Sequence, residues 1–202
     1  SSCKIFVMLL SLLFAASITR LVHERAVVLD LVSKGEAPAP TSPTARRADV
    51  QHYWLARRPN GELAARRGMH TPARVDGFRL GVARLPDAAA SAPCTDHIER
   101  VGTRLLLSDA SLNVWAFRLE PGEAHPYHVH RLPYLYVNVV ESSTLELDAA
   151  GNAVGVPRTQ RAHEASFVGA ECLGGHGVRN GGGGEFLQFV IELKCAGLCV
   201  CA

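Results

Sequence analysis

The sequence predicts an all-β protein, a jelly roll preceded by an apolar helix. Three observations lead there. After Val101, short β-type runs recur about every eight to twelve residues, each closed by a Gly, Asn, Asp or Pro cluster. No amphipathic helical period appears in that stretch. Near the start, an apolar run is followed by a segment too rich in Pro, Ala and Ser to bury much.

The chain has 202 residues, enough for one sizeable core with attachments. Five regions follow from the changes in composition: 1–32, a signal peptide or membrane-anchor helix; 33–47, a linker; 48–102, an extension with a hairpin; 103–194, the main β domain; and 195–202, a Cys-containing tail. In the first region Lys4 precedes the apolar run Ile5 to Ile18, and Ala15, Ala16 and Ser17 are small, the order of a secretory signal. The run is shorter than the roughly 20 residues a spanning helix needs, which favours cleavage. Ala26 to Val32 would lengthen the helix into an anchor, although Arg20, Glu24 and Arg25 interrupt it. The expected location is therefore a membrane, with the β domain outside the cytoplasm or in an organelle lumen, or else secretion. A membrane or membrane-protein partner would engage residues 1–32.

Residues 51–67 read as a hairpin, with Tyr53, Trp54 and Leu55 on one arm, Pro59-Asn60-Gly61 as the turn and Leu63 on the return. In Ser111 to Glu120, Trp115, Phe117 and Leu119 alternate with Val114, Ala116 and Arg118, so one face is core. Further strands are expected at Tyr134 to Val140, Thr144 to Asp148, Ala165 to Val168 and Phe186 to Leu193, with a turn at Gly151-Asn152 and an extended loop around Val156 to Glu164. Such strands pair over long sequence separations. A net charge of +2, with basic residues scattered, leaves no continuous stripe for nucleic acid. The 6 cysteines match neither a disulfide scaffold nor a zinc ribbon; Cys195, Cys199 and Cys201 suit a disulfide, a lipidated end or an unstructured terminus.

The segment Gly122-Glu-Ala-His-Pro-Tyr-His128-Val-His130 carries the chemistry. Two imidazoles two residues apart on a strand share a face. His125 has the opposite parity and is expected to face outward. His176, in a loop or strand end, faces the first pair if the sheet closes on itself. Three convergent neutral imidazoles make a metal site with open positions. The plainer alternative is a set of satisfied polar groups near a barrel mouth.

These segments resemble the two cupin motifs: a Gly, five residues and His128-x-His130, then His176-x-x-x-Asn180. The resemblance covers residues 103–194 and implies the double-stranded β-helix of an RmlC-like cupin, with His128, His130 and His176 as ligands. It implies a divalent metal (iron, manganese, zinc or nickel), or an empty pocket, and a homodimer. Cupins usually place a further Glu ligand four or five positions after the second His, where this chain has Tyr134 and Leu135. That His-x-His-x-x-x-Tyr pattern resembles a subgroup of single-domain cupins, some of them named for β-alanine breakdown. The Pro and Gly usual ahead of the second-motif His are replaced by Glu171 and Leu173.

A metal held by three neutral ligands keeps its full charge and attracts an anion. The ligand expected is a small carboxylate-bearing molecule, with oxygenase, isomerase or lyase chemistry undecided. Tyr134, Asn180 and Gln188 are the candidate substrate contacts, although Gln188 and Glu192 also suit an outward, solvated face. No residue stands out as a general base; Tyr134 and His125 are the candidates. A second function remains open: a non-catalytic accessory subunit or ligand-binding module tethered to a membrane.

Overall fold

The computed structural model describes residues 17–22, 25–32, 50–68, 77–84, 100–169 and 175–194. Among the described residues, fourteen strands form three antiparallel sheets. The first sheet contains β1 (Ser17–Val22), β2 (Arg25–Val32), β3 (Val50–Arg57), β4 (Leu63–Arg67) and β5 (Gly77–Arg84), ordered β1-β2-β5-β3-β4. The second contains β6 (Arg104–Ser108), β7 (Leu112–Leu119), β9 (Tyr134–Asn138), β12 (Ala165–Val168) and β14 (Phe186–Leu193), ordered β12-β9-β14-β7-β6. The third contains β8 (Ala124–Val129), β10 (Ser142–Leu147), β11 (Ala153–Gln160) and β13 (Gly175–Asn180), ordered β11-β10-β13-β8.

The last eight strands are wound as nested antiparallel pairs: β7 with β14, β8 with β13, β9 with β12 and β10 with β11. A strand ribbon folded over in this way, with alternate pairs assigned to opposite sheets, is a double-stranded β-helix.

Two cores follow from the layering. Between the second and third sheets lie Val101, Trp115, Phe117, Leu119, Tyr134, Phe186 and Val190. On the other face of the second sheet, Leu112, Val114, Leu135, Val137, Phe189 and Ile191 share a core with Tyr53, Leu55, Phe78, Leu80 and Val82 of the first sheet. Strand β7 is therefore buried on both faces, where alternation had predicted one. The same covering makes all of β14 buried, so Gln188 and Glu192 lie inside the protein and not on a solvated face. A strand covered on both sides reads as a nearly continuous apolar run, and its few polar residues need internal partners.

The extension is thus packed on the barrel. Phe78 meets Phe189 edge-on at 6.3 Å, Arg104 donates to the Leu63 carbonyl, and Arg57 pairs with Glu185. The β3–β4 hairpin turns at Asn60-Gly61, where Gly61 has a positive φ of 83°.

The apolar helix is corrected for residues Ser17–Val22 and Arg25–Val32. Ala26 to Val32 does not lengthen a helix but runs along β5, in register from Arg25↔Arg84 to Val32↔Gly77. Its Val-Val-Leu content suits a strand, and the partner lies some fifty residues downstream, beyond any local period. Residues 5–16, the linker 33–47 and all 6 cysteines lie outside the described residues. Among the described residues, no helix is long and apolar enough to cross a membrane. The loop expected around Val156 is instead β11, paired to β10. Seven of its eight residues are exposed, so it shows no apolar alternation to read.

Candidate metal centre

His128 and His176 are direct partners across β8 and β13, and His130 follows β8 by one residue. Their candidate ligand nitrogens all lie within 4.8 Å of one another, so the three could hold a metal ion. His128 and His130 are buried, and His176 is half-buried. Gly175 lets β13 pass at this point, because the Tyr127 ring occupies the space a side chain there would need.

Nitrogen geometry tests the fit. The Nε2 atoms of His128 and His130 are 3.2 Å apart. Two ligands at 2.0–2.1 Å from one ion, in tetrahedral or octahedral arrangement, stand about 2.9–3.4 Å apart. His128 Nδ1 donates to the Pro126 carbonyl at 3.0 Å. A carbonyl only accepts, so in neutral His128 the proton sits on Nδ1 and the Nε2 lone pair faces the centre. The His128–His130 pair fits a borderline divalent ion.

Charge state favours the same reading. Burial pushes His130 down to about 3, with the neighbouring His128, His176 and His125 adding to the effect. His176 is also lowered, mainly by burial, with the Glu146 charge opposing. Imidazoles that stay neutral need no proton removed before they ligate.

His125 is a correction. It is only 6% exposed and faces inward, its ring 4.9 Å from that of His128 and 4.9 Å from Phe117. The register shifts between His176 and Val178, so Pro126 and Tyr127 together oppose Gly177. This bulge reverses the parity that period-two counting assumes. His125 Nε2 donates to the Arg100 carbonyl at 3.3 Å, and burial lowers its pKa. It stands behind His128, outside the group that could share an ion.

The three candidate substrate contacts fare differently. Tyr134 is brought to the centre, its ring stacked on His130 at 3.9 Å; burial pushes its hydroxyl up to about 12, so it is a neutral phenol. Asn180 is fully buried at the end of β13 and its side chain closes the turn that follows. Its Nδ2 donates to the carbonyls of Leu119 and Gly184, and its Oδ1 accepts from the Gly182 N–H. No donor is left for a substrate. Gln188 Nε2 donates to Asn138 Oδ1, in a chain that continues through Gln160 to Thr144. It pairs with Asn138, four residues along β9 from Tyr134, which is about 13 Å from the histidine end.

Of two further carboxylates, Glu192 was expected on an outer face and Glu146 was not singled out. Glu192, opposite Tyr134, accepts from Trp115 Nε1 at 2.9 Å and Asn113 Nδ2 at 3.1 Å. Glu146, on β10 opposite Val178, is exposed, and its charge reaches both His176 and Tyr134. Between Leu145 and Leu147 it carries no local signal of a site. A cleft of about 650 Å³ beside His128 and His125 is lined also by Arg100, Arg118, Glu120 and Glu123, whose formal charges cancel.

The barrel has the jelly-roll, double-stranded β-helix fold. No family model matches the sequence, and no curated protein matches it significantly. Solved structures of cupin-domain proteins do. A cupin domain from Bordetella pertussis Tohama I is 18% identical over 54% of this chain and 100% of its own, with a TM-score of 0.40. A cupin 2 conserved barrel domain protein from Leptotrichia buccalis is 12% identical over 95% and 99%, with a TM-score of 0.47. The polyketide cyclase RemF from Streptomyces resistomycificus is 21% identical over 46% and 63%, with a TM-score of 0.35.

Proposed function

We propose that this chain is a metal-dependent cupin that binds a small carboxylate-bearing molecule at an ion held by His128, His130 and His176. The observation that supports it most is the 3.2 Å Nε2–Nε2 separation between His128 and His130, with His176 opposite. An ion there supplies Lewis acidity to a coordinated oxygen. With three neutral ligands it keeps its net charge, and an anionic ligand is favoured.

The chain's own residues then do three things. Phe117 and Tyr134 pack against the rings of His128 and His130. His125 packs against His128. Glu146, exposed on β10 opposite Val178, sets a negative charge toward His176 at the open side.

Metal analysis of the purified full chain tests this. We expect about one equivalent of a first-row divalent metal, or uptake of one equivalent of Co2+ by metal-free protein, and loss of uptake in His128→Ala. Small carboxylates should then perturb the Co2+ absorption spectrum. A folded wild-type chain that takes up no divalent metal would falsify the proposal and leave a ligand-binding or accessory role without metal.

A further inference from the structure

We infer that Tyr134 is the positioning residue for His130, holding the imidazole in its ligating orientation by face-to-face stacking. The inference rests on the metal-centre reading above and deepens it.

A histidine that ligates through Nε2 is ordinarily steered through Nδ1, by a hydrogen bond to a carbonyl or carboxylate. His128 has such a bond, to the Pro126 carbonyl at 3.0 Å. His130 does not: its Nδ1 is buried and has no hydrogen-bond partner among the described residues. Apart from the 3.2 Å contact of its Nε2 with His128 Nε2, which is given up when both nitrogens turn to an ion, no polar contact fixes the His130 ring about χ2, a broad torsion. Something else must hold it.

Tyr134 is placed to do so. Its ring lies 3.9 Å from that of His130, with the planes inclined by 16°. The other ring contacts of His130 are edge-on, 67° with His128 and 75° with His176. Turning the His130 ring away from the centre would break the parallel stack, worth about 0.5–1.5 kcal/mol beyond area burial for an aromatic pair. The tyrosine is itself fixed, buried in β9 between β12 and β14, with Val168 and Glu192 as its backbone partners. It occupies the position four residues after His130, where the cupin pattern leads one to expect a carboxylate ligand. Here that position contributes alignment and not a donor atom.

Two variants of the full chain separate the ring from its hydroxyl: Tyr134→Phe keeps the stack, and Tyr134→Leu removes it. The first readout is the His130 ring signal in NMR spectra of metal-free protein, assigned by its loss in His130→Gln. The second is Co2+ affinity with the visible spectrum of the complex. Tyr134→Phe should keep one sharp His130 ring environment and bind Co2+ within about 3-fold of wild type. Tyr134→Leu should show several ring environments, bind about 10–100-fold more weakly, the range for loss of a group that orients a ligand, and give a changed spectrum. Tyr134→Met replaces the leucine variant if that one does not fold. A leucine or methionine variant with wild-type ring signals overturns the inference, and so does a phenylalanine variant as impaired as the leucine one. If wild type binds no Co2+, the metal reading fails on its own, and the ring signals of metal-free protein still decide whether Tyr134 positions His130.

Discussion

His128 and His176 face each other across neighbouring antiparallel strands, their ring centroids 4.8 Å apart and their planes at 83°. One imidazole is buried and bonded through Nδ1, and the other stands half-open beside it. The pair sets a buried, hydrogen-bonded imidazole beside a more accessible one at the candidate centre.

Replacing His176 should therefore cost binding and little stability. His176→Ala is expected to weaken Co2+ by more than about 100-fold, beyond the 10–100-fold typical of outer-shell changes. Its unfolding free energy should stay within about 1 kcal/mol of wild type. Calorimetric titration and urea unfolding on the same preparation check both. Loss of the fold would make His176 a structural residue.

Stability of the metal-free protein should fall in acid through His130. Its native pKa lies near 3, while an unfolded histidine titrates near 6.5. Between those values the unfolded chain binds a proton that the native state refuses, so stability is full above about pH 6.5 and is lost as the pH falls toward about 3. The slope contributed by one such group approaches about 1.4 kcal/mol per pH unit. Urea midpoints at pH 7.5 and pH 5 should differ less in His130→Gln than in wild type; an equal difference would remove His130 as the cause.

The amide chain Gln188–Asn138–Gln160–Thr144 crosses from the second sheet to the third, away from the histidines. Gln188→Leu strands the Asn138 carbonyl oxygen and should lower stability by about 1–3 kcal/mol while leaving Co2+ affinity unchanged. A change in affinity without one in stability would return Gln188 to the site.

Glu192→Ala leaves the buried donors of Trp115 and Asn113 without this acceptor. A loss of about 2–3 kcal/mol is expected, with a shift in Trp115 fluorescence. An unchanged melting temperature would mean that solvent or another acceptor reaches these donors.

Phe78 reports on the first sheet. It packs edge-on to Phe189 in the shared core, so Phe78→Ala should cost about 3–5 kcal/mol and shift one cooperative transition. Two separate transitions would show that the first sheet folds apart from the barrel.

Much of the barrel was legible because its signals are local. Phe186 to Leu193 matches β14, and the strand through Trp115, the β12 segment and the Gly151 turn all fall where alternation and turn chemistry put them. His128, His130 and His176 were singled out by type and spacing, and the structure brings them together. Long-range information was invisible. The strand β2 looked like part of an apolar helix because its partner β5 is remote. His125 looked outward because nothing local announces the bulge at Pro126 and Tyr127.

What the sequence determined by itself is the set of elements whose pattern repeats within a few residues: the β character after Val101, the turns, and the histidine pair on one strand. Only the tertiary structure decided that both faces of β14 are buried, which turns Glu192 and Gln188 inward, and that Asn180 closes a turn while Tyr134 lies flat against His130. The physical reason is that side-chain direction in a strand is a local property, whereas burial, and the partner each polar group finds, depend on which distant strand is laid across it.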